Sequence, residues 1–521
     1  MLSNQDILQG LLQHNFFPSQ KDEKEELPPI LNSKGLTSEI VDEISKLSLR
    51  RGGYDQVEYR STRYNNVSRN LAIPHPLAYI KLAVCLSENW KKLDYISKNK
   101  NSLIKPELHD DGRIIIMDYE SSREKLQRHI TKSFNKKFFV KTDISNCFPS
   151  IYSHAIPWAL VGLKKSKNNR EPSEWFNKID TYQRLMKRNE TNGVPIGPAT
   201  SNIISESILA RVDEKISRNF DYVRFIDDYT AYCETYEKAE CFIRRLSEEL
   251  STYKLLLNIK KTSIEKLPLP SSADWIVDLN TRMPDKNDTN TTSIIRFMDY
   301  AVKKQEVTPD GSVLKYAAKS IISDINNDDE KSKIEHLDKD TLDLLIQYLL
   351  GLCVKYPILL PLLDIMFDSF NSDSNFVYSV QFFALLKEHV THKRSDAIAW
   401  SLYYLNKFSQ DIPSDIANKI IETGDCISIL ALFMSRNFDN EIKDFIDKLG
   451  FNDLFLLDQY WILLYQLFFV DIIENPYGKD ESAYTHFCSN KEKPKNTMDR
   501  EIQVFRKLKE NNVSFLNNTD D

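Results

Sequence analysis

One stretch constrains the fold more than any other: Asp221-Tyr222-Val223-Arg224-Phe225-Ile226-Asp227-Asp228-Tyr229-Thr230-Ala231-Tyr232-Cys233. Two β-rich runs, Tyr222 to Ile226 and Tyr229 to Cys233, flank a bare pair of aspartates. That reads as a hairpin with Asp227 and Asp228 at its tip. Two-residue hairpin turns favour Asn-Gly, Asp-Gly or Gly-X because they need positive φ. Adjacent carboxylates offer no such ease, and their charges repel. Taken alone the pair also fits an acidic surface loop, but it is a poor turn and a good metal ligand.

A third acid gives the pair a partner. Phe138-Phe139-Val140-Lys141-Thr142-Asp143-Ile144 is an apolar strand carrying one carboxylate near its end. Phe148, five residues beyond Asp143, sets a bulky wall on the turn that leads to a helix around Ser153 to Leu163. Gly193-Val194-Pro195-Ile196-Gly197-Pro198 is a Gly/Pro loop opening a helix, with Pro198 suited to the first turn. Ile204, Ile208, Val212 and Ile216 form that helix's buried stripe. Such a loop lets backbone approach a base pair or nucleotide, or it is simple punctuation. Thr235 caps a further helix with Ala239, Phe242, Ile243, Leu246 and Leu250 on one face. Leu255 to Ile264 then turns into another strand. The order is strand, helix, hairpin, helix, strand: an antiparallel sheet backed by two helices, an α+β palm with Asp143 and Asp227 meeting at its rim.

The flanks are less pointed. Residues 1–50 read as a polar, lightly helical lead-in broken at Pro28-Pro29. Arg50 to Tyr64 interleaves arginines with Tyr54, Tyr59 and Tyr64, which suits phosphate and base contacts or an ordinary basic loop. Leu77 to Trp90 and Ser121 to Phe134 are helical. Asp110-Asp111-Gly112-Arg113 is a turn before an apolar strand, Ile114 to Met117, where the Arg113 guanidinium could fork onto a triphosphate. Arg63 and Arg69 are alternatives. With 521 residues the chain has room for two or three domains. Its net charge of −6 does not advertise a nucleic-acid binder, although Lys91–Lys141 and Lys164–Arg188 are locally basic. The seven cysteines lack CxxC pairing, so neither a zinc site nor a disulfide framework is expected. A signal-type leader and a membrane-length apolar run are not legible, and a reduced, cytoplasmic setting is expected.

Val140–Ile144 with Phe148, Gly193–Asn202, Phe225-Ile226-Asp227-Asp228 and Asn258–Thr262 resemble, in order, motifs A, B, C and D of reverse transcriptases. Gly112-Arg113-Ile114-Ile115 resembles the earlier fingers motif. Ile73-Pro74-His75-Pro76, Ser150-Ile151-Tyr152-Ser153-His154, Trp158-Ala159 and the Pro195-Ile196-Gly197-Pro198 form of motif B resemble the abortive-infection reverse transcriptases of bacterial phage defence, the AbiK-like group. Ile196 stands where templated enzymes usually have Gln, and Phe225-Ile226 replaces the usual Tyr-x. The resemblance implies untemplated DNA synthesis from dNTPs, primed by the protein itself, with single-stranded DNA left covalently attached and the chain acting as a homo-oligomer. It also implies an anti-phage role.

On this reading two Mg²⁺ ions, about 3.5–4 Å apart in such enzymes, are held by Asp143, Asp227 and Asp228. Phe148 excludes a 2′-hydroxyl, Gly197 and Pro198 face the nucleotide, and Arg113 takes the triphosphate. Lys261 serves as general acid to the pyrophosphate, with Lys260 competing. Tyr54 is the priming candidate, set behind Gly52-Gly53; Tyr59, Tyr64, Tyr484 or a serine are alternatives. From about residue 290 the periodicity is helical throughout, with Leu454 to Ile473 as one buried helix and Asp364, Asp396 and Asp425 as caps or exposed acids. The expected domains are 1–50, 51–280 (fingers and palm) and 281–521, an α-helical HEAT-like repeat domain replacing a thumb. Two rivals remain, a templated enzyme of retron type using a partner RNA and a non-enzymatic scaffold with a relic palm. Ile196 and the missing thumb oppose the first, and the intact acids oppose the second.

Overall fold

The computed structural model describes residues 2–18, 27–63, 65–117, 122–284, 290–309, 312–322, 337–367, 376–450, 453–478 and 499–517. Its centre is a four-stranded antiparallel sheet in the order β4-β5-β3-β6. The strands are β3 (Phe138–Asp143), β4 (Asp221–Phe225), β5 (Asp228–Cys233) and β6 (Ser263–Lys266). Helices Ala199–Ile216 and Tyr236–Thr252 back it. The stripe Ile204, Ile208, Val212 and Ile216 is buried, as are Ala239, Phe242, Leu246 and Leu250. Thr235 caps the second helix, its hydroxyl accepting from Lys238 N. Apolar positions at i and i+4 leave these helices no face but the one on the sheet.

A separate hairpin, β1 (Gln56–Thr62) with β2 (Ser68–Pro74), lies apart from this sheet. Ile114 to Met117, expected as a strand, is irregular instead. Its backbone is held by the Asn15 side chain, which accepts from Ile114 N (2.8 Å) and Ile115 N (3.2 Å) and donates to Ile115 O (2.9 Å). The N-terminal residues are no loose lead-in. Ile7, Leu11 and Phe16 are fully buried, and Tyr79 donates its hydroxyl to Leu11 O (2.7 Å).

After β6 the described residues are helical, as the periodicity predicts. These helices fold back onto β1. Asp396, expected as a cap or exposed acid, is buried and accepts from Thr62 N (2.6 Å) and Thr62 Oγ1 (3.0 Å). Asp364 is likewise buried, against Lys407 (2.9 Å). Asp425 does cap a helix, accepting from Ser428 N (2.8 Å). Leu454 to Ile473 is two helices, Leu454–Gln459 and Trp461–Phe469, with the break at Tyr460. Asp458 ends the first and is fully buried, where it meets the Arg50 guanidinium and accepts from Asp55 N (2.9 Å) and the Tyr477 hydroxyl (3.0 Å). An apolar run can carry such an acid only with its partners supplied from elsewhere in the fold. No helix among the described residues is long and apolar enough to cross a membrane.

Candidate active site

Asp143 ends β3, and Asp228 opens β5 directly opposite it in the antiparallel register. Asp227 sits in the turn between β4 and β5. Phe225 pairs with Asp228, so the two turn residues are Ile226 and Asp227, one position earlier than the sequence suggests. Ile226 has φ +55°, a left-handed conformation that a β-branched residue adopts only at a cost of about 1–3 kcal/mol. The fold pins it from both sides. Ile144 N donates to Asp227 O (3.2 Å), and Arg224 Nη1 donates to Ile226 O (2.7 Å).

Arg224 has no exposed surface. Its guanidinium is gripped by Glu206 (2.6 and 2.9 Å) and Asp213 (2.8 and 3.0 Å), both buried on the Ala199–Ile216 helix. The sequence reading missed this triad. Its signal was an arginine inside the apolar run Tyr222-Val223-Arg224-Phe225, and two acids seven residues apart on one helix face. Left unpaired, that cation would be expensive to bury; paired, it is a strut under the acidic turn.

The electrostatics of the rim are those of crowded carboxylates. Burial, then the Asp228 charge, push the Asp227 carboxyl up to about 6, with Asp143 adding to the effect. Asp228 is also raised, by desolvation and then by Asp143. Asp143 is 5% exposed, and its Oδ1 is buried without a hydrogen-bond partner. Its Oδ2 accepts from Lys261 Nζ at 2.6 Å, an interaction that raises the lysine's pKa. As posed, no group of three His, Cys, Asp or Glu side chains among the described residues encloses an ion. The donor chemistry nevertheless fits a hard divalent cation: oxygen ligands only, one left unsatisfied, and mutual repulsion that bound positive charge would relieve.

Asn146, at φ +48°, turns the chain from β3 into the short helical turn Cys147–Ser150 that carries Phe148. The half-buried Phe148 accepts through its carbonyl from Val194 N (2.9 Å), which ties it to the Gly/Pro loop. In that loop Gly197 has φ +128°, and an added Cβ would meet Pro18 Cγ at 2.6 Å. Ala72 N donates to Ile196 O (2.7 Å), and the buried Pro198 is the N-cap of the following helix rather than part of its first turn.

Two expected site residues lie elsewhere. Arg113 is buried, with Nε on Asp111 Oδ2 at 2.5 Å, so its guanidinium is held inside the protein instead of facing a triphosphate. Tyr54 is fully buried, stacked on His75 at 4.5 Å, and its hydroxyl donates to Glu501 Oε1 (2.8 Å). A priming hydroxyl must reach the acids, and this one is enclosed. Tyr59 is fully buried as well. Tyr64 and Tyr484 lie outside the described residues. Arg63 is exposed and Arg69 half-buried.

Residues 84–301 match the family model described as reverse transcriptase (RNA-dependent DNA polymerase). The chain carries a reverse transcriptase domain. Asp143, Asp227 and Asp228 all fall inside the matched segment. The reverse transcriptase domain is accompanied by similarity to three solved telomerase structures. Apo telomerase from Candida tropicalis truncated from its C-terminal domain is 15% identical with TM-score 0.28, covering 46% of this chain and 55% of that one. Apo telomerase from Candida tropicalis is 10% identical with TM-score 0.32, covering 82% and 76%. Telomerase from Candida albicans in complex with a TWJ fragment of telomeric RNA is 11% identical with TM-score 0.28, covering 79% and 66%. The chain thus spans little more than half the length of the first of these. Comparison with curated proteins yields no match.

Proposed function

We propose that the chain is a DNA polymerase of reverse-transcriptase type that transfers nucleotides from dNTPs without a template, from a hydroxyl of its own, in anti-phage abortive infection. The observation that carries the chemistry is the set Asp143, Asp227 and Asp228 at one sheet rim, with a buried carboxylate oxygen left unpartnered. A pair of Mg²⁺ ions held there would activate the attacking hydroxyl and bind the triphosphate. The oxygen–phosphorus bond to the growing strand forms as the bond to pyrophosphate breaks. Lys261, at the same rim, is the group placed to give the leaving pyrophosphate its proton. Phe148, bonded through its carbonyl to the loop that ends in Gly197 and Pro198, walls the sugar side and disfavours a 2′-hydroxyl.

Template independence is supported by the Gly/Pro loop itself. A Cβ at Gly197 would meet Pro18, and the Ile196 carbonyl accepts from Ala72 N, so this loop is already packed against protein. On this reading the helices after β6 are HEAT-like pairs in place of a thumb, so a duplex would lack that grip. Purified protein given Mg²⁺ and single dNTPs, with no added nucleic acid, should yield DNA that follows the protein through denaturing gels. Synthesis that needs a co-purified structured RNA would replace this reading with the retron-type one, and absence of synthesis with the relic scaffold. Light scattering on the same preparation tests the expected homo-oligomer.

A further inference from the structure

A cleft of about 890 Å³ opens beside the backbone pairing that holds Phe148. Val194 N donates to Phe148 O (2.9 Å), Gly193 N to Ile151 O (2.8 Å) and Ser153 N to Thr191 O (2.8 Å). Tyr152, paired to Asn192 across the same seam, lines the cleft four residues beyond Phe148. Four extended residues span at most about 14 Å, so the cleft is a few nucleotides from the sugar wall.

Its lining combines flat rings with cations. Tyr152 and Trp158 are half-exposed, with ring centroids 5.9 Å apart, and Lys167 Nζ stands 5.9 Å from the Trp158 ring. Lys167, Arg170, Arg184 and Lys254 set four cations against one lining carboxylate, Asp180. That carboxylate is already engaged: His154 Nδ1 donates to its Oδ2 (2.7 Å) and Arg184 Nε to its Oδ1 (3.3 Å). The bond to Asp180 fixes the histidine proton on Nδ1, leaving Nε2 as the nitrogen available to a ligand. On a chain of net charge −6, a cleft with this sign and these rings suits an anionic, aromatic occupant.

We propose that this cleft binds a single-stranded polynucleotide, with bases against Trp158 and Tyr152 and phosphates on Lys167, Arg170 and Lys254. Rings give sequence-tolerant stacking, and the cations track the backbone. The inference deepens the polymerase reading and rests on it for the strand's origin, but binding itself is independent of catalysis.

Anisotropy of fluorescein-labelled oligo(dT) and oligo(U) 12-mers on the full chain, in EDTA, tests it. Trp158→Ala should weaken binding about tenfold. Arg170→Glu with Lys254→Glu, both exposed and safe for folding, should weaken it further and flatten the salt dependence. Preference for oligo(dT) makes the strand DNA, and preference for oligo(U) makes it RNA. Wild-type affinity and salt slope in the folded double variant would overturn the proposal. If the wild type makes DNA and these variants bind normally, the cleft fails alone. If cleft variants lose binding and no variant or wild type makes DNA, the polymerase reading fails and the cleft stands.

Discussion

At the scale of single residues, the acidic rim is a place where the protein accepts unfavourable energy. Ile226 sits at positive φ, Asp227 and Asp228 are held close to Asp143, and one Asp143 oxygen is buried unpaired. Such costs persist only where the surroundings over-determine them. Asp227→Asn should leave melting unchanged or slightly raised, because it removes repulsion, while nucleotide incorporation falls about a hundred- to a thousandfold, the range seen for groups that stabilise transition-state charge. Substantial incorporation by that folded variant would remove Asp227 from the metal site. Phe148→Ala should admit ribonucleotides, read as the ratio of rNTP to dNTP incorporation; an unchanged ratio assigns the gate to another side chain. Arg224→Met leaves Glu206 and Asp213 without their cation and Ile226 O without its donor. A loss of about 3–5 kcal/mol in chemical denaturation is expected. Asp143 and the Asp-Asp pair were legible from residue type and strand context alone. Arg224 was passed over because a charged residue in an apolar run declares itself only once its partners, 11 and 18 residues away, are brought to it.

At the scale of elements, local periodicity carried far. The backing helices, β3 and the helices after β6 follow from apolar spacing, because each has one face that only burial can satisfy. Where reading failed, a distant contact had overruled the local pattern. Ile114 to Met117 has the composition of a strand, yet Asn15, about a hundred residues away, takes its backbone groups. The Leu454–Phe469 run breaks at Tyr460, where Asp458 is drawn to Arg50. The β1–β2 hairpin, which two strands alone would barely stabilise, is clamped from outside by Asp396 on Thr62. Asp396→Ala should therefore cost about 1–3 kcal/mol through the unsatisfied Thr62 amide. Hydrogen exchange should locate the loosening in β1 and β2. Destabilisation spread evenly over the chain would mean that Asp396 matters to its own helix rather than to the hairpin.

At the scale of the whole molecule, the two ends of the chain close over the hairpin. Tyr54, Arg50 and His75 meet Glu501, Asp458, Tyr477 and Phe505 in one buried cluster. Burial pushes the Glu501 carboxyl up from 4.5 to about 7, against the opposing pull of Arg50, and its Oε2 has no hydrogen-bond partner. The folded chain thus keeps a proton that the unfolded chain releases above about pH 4.5. This contribution is whole below that pH and is lost as pH rises through about 7. The total is on the order of 3 kcal/mol for such a shift. Glu501→Gln should flatten the stability profile between pH 5 and 8 in urea titrations; a wild-type slope in that variant would assign the proton elsewhere. By itself the sequence determined the palm strands, their backing helices and the three acids, because strand and helix periodicity and residue chemistry are local properties. It carried the reverse transcriptase resemblance for the same reason, since the acids and loops keep their order along the chain. Tertiary structure alone decided that Tyr54 and Arg113 are enclosed, that Asp396 is a clamp rather than a cap or exposed acid, that Asp458 is buried against Arg50, and that Arg224 underpins the acidic turn. Burial and pairing depend on what the fold brings up, from 11 residues away for Arg224 to more than 400 for Tyr54 and Asp458, and no local periodicity contains that information.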